Sequence, residues 1–210
     1  MSRLLIQQYE IGPLNNFLYL LGDPETKEMA VVDPAWDPDF LSNEAKRLGY
    51  KITGIFLTHA HPDHVNGLDR MQQLYSVPTY ISKHEAPFLT KNLKNLTAIE
   101  DKATLKLGNI EFNVLHTPGH TPGCQCFLTQ GQLISGDTMF IDGCGRCDLP
   151  GGDAKIMYKS LNLLAHLPDE TTVWPGHNYG PTPTDTIGHQ KQTNPYLQAA
   201  SLNEFLSERM

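Results

Sequence analysis

The apolar run KITGIFLT (51–58) ends in THAHPDHVNG (58–67), and this junction restricts the fold more than any other stretch. Three of the nine histidines, His59, His61 and His64, fall within six residues there, with Asp63 among them. On a helix, His59 and His61 would point about 200° apart. H-x-H therefore converges only at a strand end or in a turning loop. Pro62 also disfavours helix just before it. The preceding run is apolar enough for a buried strand. The expectation is a strand whose C-terminal edge turns into a helix and carries ligand-type side chains, a place where layered folds often put their sites. Imidazole and carboxylate ligands suit zinc, iron or manganese.

Four such residues in one loop do not serve a single ion comfortably, the neighbours Asp63 and His64 least of all. Two ions a few ångströms apart explain them better. Such a pair needs further ligands, one of them a bridging carboxylate. Three candidates each end a predicted strand: His120 in TPGHTPG, Asp137 in SGDT and His177 in WPGHNY. A glycine or proline beside each permits a turn that presents the side chain outward.

The rest of the chain supplies strands and helices around these loops. NFLYLLG (16–22) and EMAVVD (28–33) flank the turn DPETK and predict a hairpin. Pro38 opens a helix that ends near Gly49. Leu68, Met71 and Leu74 predict a helix after the histidine loop, VPTYIS (77–82) a strand, and HEAPFLTKNL (84–93) a short helix or irregular segment. NIEFNVLH (109–116) alternates as a strand. CQCFLTQ, a turn at Gly131–Gln132, and LISGD predict a second hairpin. After the Gly-rich loop 141–153, Asp153 caps an amphipathic helix in AKIMYKSLNLLAHL. TTVWPGH is a strand entering a loop, and 194–209 a single C-terminal helix. Two mixed β halves, each with helices, fit this order better than strict βαβ alternation.

The net charge of −7 argues against a nucleic-acid partner. No apolar run approaches the roughly 20 residues that span a bilayer. The N-terminus lacks the apolar core of a signal peptide. A cytoplasmic protein is expected, with monomer and homodimer both open. The four cysteines, Cys124, Cys126, Cys144 and Cys147, do not form the paired C-x-x-C pattern of a zinc ribbon. Cys124 and Cys126 read as small buried hydrophobes, and Cys144 and Cys147 as inert packing rather than a redox pair.

H-x-H-x-D-H at 59–64, followed by His120, Asp137 and His177, resembles the metallo-β-lactamase superfamily over nearly the whole chain. The resemblance implies one α/β domain over 1–210, an αββα sandwich of two mixed sheets flanked by helices. It implies one ion held by His59, His61 and His120, and a second by Asp63, His64 and His177. Asp137 would bridge them, and Asp63 and Asp137 would be the catalytic carboxylates. The cofactor expected is a pair of divalent metal ions, zinc first, with iron or manganese accepted by the same ligands.

DTMFIDGCGR (137–146) and WPGHNY resemble glyoxalase II, the hydroxyacylglutathione thioesterase. By that resemblance Arg146 and Tyr179 would contact the thiol part of a small-molecule thioester substrate. Glyoxalase II proper carries a longer C-terminal helical region that grips glutathione. Here one helix precedes Met210, so a short glyoxalase II-like protein with a weaker hold on glutathione is expected. GCGR and the TIG…NPYL tail are also similar to persulfide dioxygenases. That would imply a mononuclear iron on His59, His120 and Asp137. A metal-binding scaffold without turnover is a third reading.

Plainer roles stand beside these. Arg146 would pair with Asp148 or Asp142 in a surface salt bridge, and Tyr179 would pack in the core. Asp137 would cap a turn. His84, His116, His166 and His189 lack matched partners and are assigned no chemistry.

Overall fold

Alternation along a single strand sets up the layers. The structure, a computed structural model, describes residues 2–89 and 93–209. β1 (Leu5–Ile11), β2 (Asn16–Gly22) and β3 (Glu28–Val32) form an antiparallel meander. In β2, Phe17, Tyr19 and Leu21 face a core between two sheets, while Leu18 and Leu20 face a second core under helices. Both faces are covered, so the strand reads as a nearly continuous apolar run.

α1 (Pro38–Arg47) is capped by Asp37, whose side chain accepts from the Phe40 amide, and Gly49 takes a left-handed φ of 78° just past its end. β4 (Lys51–Phe56) then pairs in parallel with β3. α2 (Pro62–Val65) and α3 (Leu68–Leu74) lead to β5 (Thr79–Ser82) and β6 (Leu96–Ile99), which extend the sheet in parallel. The first sheet has the order β1-β2-β3-β4-β5-β6.

β7 (Thr104–Leu107), β8 (Ile110–His116), β9 (Gln125–Thr129) and β10 (Gln132–Gly136) form an antiparallel run. A small hairpin of β11 (Met139–Phe140) and β12 (Gly143–Cys144) precedes α4 (Ala154–Ala165). β13 (Thr172–Pro175) returns parallel to β10 and carries β14 (Asp185–Thr186) on its edge. The second sheet is ordered β14-β13-β10-β9-β8-β7. α5 (Ile187–Thr193), α6 (Pro195–Gln198) and α7 (Leu202–Arg209) close the chain.

Three cores separate four layers. Phe56 joins the sheets through edge contacts to Tyr80 and Phe112 and a tilted contact to Phe127. Burying a side chain of this size contributes about 1.5–3 kcal/mol. α1 and α3 cover the first sheet, with Leu41 and Met71 in the core beneath. Met157, Leu161 and Leu164 of α4 and Phe205 of α7 pack on Cys126, Leu133 and Val173 of the second. The result is the αββα sandwich of two mixed sheets.

Several boundaries differ from expectation. The β9–β10 turn is Gln130–Gly131, one residue earlier than predicted. Both residues have positive φ (49° and 72°), and the Gln130 side chain is tied to the Leu4 amide and the Ser2 carbonyl. The single C-terminal helix is two. Asn194 caps α6 through the Tyr196 amide, and Ser201 and Glu204 form a separate helix start with the Glu204 and Ala200 amides. In 84–93 the structure shows a 3-10 turn at Ala86–Phe88, and residues 90–92 lie outside the described residues. Among the described residues, no helix is long and apolar enough to cross a membrane.

Candidate metal centre

The parallel strands aim their C-terminal ends at one rim. β4 delivers His59 and His61, α2 carries Asp63 and His64, the loop after β8 carries His120, and β10 and β13 end at Asp137 and His177. Two groups of ligand atoms result, His59–His61–His120 and Asp63–His64–His177, with the atoms of each within 4.8 Å of one another. In the second, Asp63 Oδ2 lies 3.5 Å from His64 Nε2 and 3.4 Å from His177 Nε2. The two Nε2 atoms are 3.2 Å apart. Ligands about 2.1 Å from a tetrahedral ion sit about 3.4 Å from each other, so this triangle has the size of a coordination face. In the first group the rings meet edge to face, with centroids 4.5–5.0 Å apart.

Asp137 touches both groups. Its Oδ1 is 3.3 Å from His64 Nε2, and its Oδ2 is 3.3 Å from His177 Nε2 and 3.4 Å from His120 Nε2. The structure thus brings together all seven ligand-type residues singled out in the sequence.

Four rings are oriented by their other nitrogen. His120 Nδ1 donates to the Arg146 carbonyl at 2.7 Å, and His177 Nδ1 to the Leu14 carbonyl at 2.8 Å. His64 Nδ1 meets Asp33 Oδ2 at 3.0 Å. Thr58 Oγ1 donates to Asp33 Oδ2 and so accepts from His59 Nδ1 at 3.0 Å. Each Nδ1 proton is used outward, which leaves the Nε2 lone pair for the cluster. A third group of ligand-type atoms, on Asp33, His59 and His64, is accounted for by this bracing.

The residues fit a metal. Among the described residues, three buried side-chain atoms make no hydrogen bond, and all three face the cluster: His59 Nε2, His120 Nε2 and Asp137 Oδ1. Each such atom costs about 1–3 kcal/mol when left unsatisfied, and metal held by the two ligand groups would satisfy them. Burial, reinforced by His64, holds His59 well below its ordinary pKa. Burial and His120 lower His61 to about 4, so both rings are neutral donors at neutral pH. Burial opposes ionisation of Asp137, but His64 and His177 outweigh it and hold its carboxyl well below the usual range. Burial would lower His64 and His177 as well, yet Asp137 raises both. The carboxylate thus favours positive charge between these rings.

Gly176 makes this closeness possible. A Cβ there would overlap Asp137 Oδ1 and press on His64 Cε1. Gly176→Ala is expected to weaken metal binding at least tenfold while the circular dichroism stays unchanged. Metal titration followed by thermal melting checks it.

A cavity of about 520 Å³ opens over the cluster, walled by Phe140, Gly145, Arg146, Tyr179 and Tyr196. Tyr179 is not core packing: it is 56% exposed, with its ring stacked on His177 at 4.6 Å and edge-on to Phe140. Arg146 lies in the wall, and its guanidinium forks onto Asp148 at 2.6 and 2.7 Å. Such an exposed pair is worth little and is screened by salt. Asp142 is instead held by Gln190 and Thr193.

A family model described as the metallo-beta-lactamase superfamily matches residues 11–177. The chain belongs to this superfamily. A probable polyketide biosynthesis zinc-dependent hydrolase, BaeB, of Bacillus velezensis is 34% identical, over 93% of this chain and 87% of that one. A hydroxyacylglutathione hydrolase of Maricaulis maris is 37% identical, over 85% of this chain and 68% of that one. The mitochondrial persulfide dioxygenase ETHE1 of Homo sapiens is 31% identical, over 97% and 79%. These relatives fit a short glyoxalase II-like branch of the superfamily, whose members bind divalent metals.

Sequence reasoning missed the residues that brace this superfamily site. Asp33 ends β3 and is buried beside Thr58, a pairing legible only once β3 and β4 are known to run parallel. Asn16 donates to the Asp63 carboxylate and backbone, and is itself held by Trp36 Nε1. Buried Glu85 accepts from the Ala60 and Gly123 amides, both at 2.8 Å, and ties the His59–His61 loop to the His120 loop. Gln190 and Asn194, both fully buried, hold the cavity wall through the Asp142 amide and the Phe140 and Gly143 carbonyls. The TIG…NP tail therefore shapes the site without facing the ligand atoms. Burial raises the Cys124 thiol well above its ordinary pKa and that of Cys126 to about 11, so both are unreactive.

Proposed function

We propose that the chain is a metal-dependent thioesterase acting on hydroxyacyl-glutathione-type thioesters. One observation carries the proposal: two adjoining coordination faces share a single carboxylate, Asp137, at the floor of an open cavity. His59, His61 and His120 would hold one ion, and Asp63, His64 and His177 the other. Two divalent ions held there would supply an acidified water, with pKa lowered to about 7, and Lewis-acid polarisation of the acyl carbonyl. Asp63 and Asp137 offset half of their charge. Asp63 reaches the cavity with its side chain 21% exposed and is fixed by Asn16, so its oxygen is placed to take the attacking water's proton. Thiolate is a good leaving group and needs no strong acid. Tyr179 and Arg146 stand where the thiol carrier would leave the cavity, and a guanidinium suits the carboxylates of glutathione.

A second reading has its own support. The three unsatisfied buried atoms, on His59, His120 and Asp137, are the set a mononuclear iron would use in a persulfide dioxygenase. The triangle of Asp63, His64 and His177 then has no duty, which favours the hydrolase. Protein purified without added metal should release thiol from S-acyl glutathione and take up no oxygen with glutathione persulfide. Oxygen uptake without thioester cleavage would overturn the hydrolase in favour of the oxygenase.

A further inference from the structure

The metal cavity is not the only hollow at the His61 rim. His61 and Ala60 also wall a smaller hollow of about 210 Å³ with Glu85, Phe88, Thr121, Pro122 and Pro150. Ala60 and Phe88 are shared in turn with a third hollow of about 330 Å³, where Pro62, Val65, Leu68 and Leu89 complete an apolar lining. Asn66 and Asp69 are its polar members. Its size is at the lower end of the range for small-molecule sites. Phe88, at its rim, is 56% exposed, a large apolar group that folding alone does not use.

A thioester has two arms, and the cluster has two kinds of surroundings. The cavity wall with Arg146, Tyr179 and Tyr196 is polar and aromatic and suits a thiol carrier. Past His61 and Ala60 the lining is mostly apolar, with Glu85 and Thr121 the polar members of the smaller hollow. We infer that these two hollows take the acyl arm and that the preferred acyl group is an unbranched apolar chain of about four to eight carbons. The inference rests on the thioesterase proposal and names the substrate class of that site. Unlike a short hydroxyacyl group, a longer chain would bury its methylenes against Phe88, Val65 and Leu68. Each buried methylene favours binding by a factor of up to about four.

Two measurements on the metal-loaded full chain test this. The first compares acetyl, butyryl, hexanoyl and octanoyl thioesters of glutathione. Wild-type kcat/KM should rise at least tenfold from acetyl to hexanoyl. Phe88→Glu should flatten that rise, and Phe88→Leu should keep it. The second measures binding of the free carboxylates acetate and hexanoate by NMR shift changes, without turnover. Hexanoate should bind at least tenfold more tightly, and Phe88→Glu should remove the difference. A flat chain-length profile, or equal acetate and hexanoate affinities, overturns the acyl site. If no thioester is cleaved, the thioesterase proposal fails and the carboxylate comparison still decides the apolar site.

Discussion

Asp137→Ala should lose activity by more than about 10³-fold, beyond the cost of removing a single preorganised donor. Asp137 lies within 3.4 Å of histidines from both ligand groups. Its loss removes negative charge from a buried cluster and unlinks the two faces. At least one ion should be lost with it. The readout is metal content of the purified variant beside its rate of thioester cleavage. The fold should survive, because the carboxylate serves no core contact and the strands that end at it are held by their own ladders. An active, fully metallated Asp137→Ala protein would show that the carboxylate does not join the two faces.

Asp33→Asn should produce the second-largest effect, although this residue faces no substrate. Asp33 accepts from the Thr58 amide, the Thr58 hydroxyl and His64 Nδ1. Asparagine keeps the shape but turns an NH₂ toward at least one of these donors. His64 then gains by moving its proton to Nε2, the nitrogen that faces Asp63 and His177. Metal affinity should fall roughly 10- to 100-fold, as loss of an outer hydrogen-bond partner does elsewhere. Stability of the metal-free protein should fall by about 1–3 kcal/mol. Competition with a chelator reads the first effect and urea denaturation the second. Asp39→Asn, which breaks only an exposed pair with Arg70, should change neither.

These variants mark what the sequence made legible. The seven ligand-type residues could be found because they cluster, or because they follow apolar runs at strand ends with glycine or proline beside them. The strands beneath them were equally plain: β2 matches the predicted 16–22 run from end to end. The bracing residues carried no such mark. Asp33 closes an apolar strand much as Asp137 does, and only its neighbour across the sheet gives it a role. Asn16, Glu85, Gln190 and Asn194 act through hydrogen bonds to segments 25 to 54 residues away. Local spacing does not encode partners at that separation. β1, with three polar residues in LIQQYEI, and the short edge strand β14 escaped notice because pairing rather than periodicity defines them.

The two-face arrangement is tested most directly by counting ions. Stripped protein titrated with zinc or iron(II), with bound metal and melting temperature read together, should saturate at two ions per chain. The upper transition should raise the melting temperature further, since an ion that binds only the folded state adds about 2.7 kcal/mol at a hundredfold excess over its Kd. His177→Ala should then saturate at one. Saturation at one ion in the unaltered chain, unchanged in His177→Ala, would contradict the account.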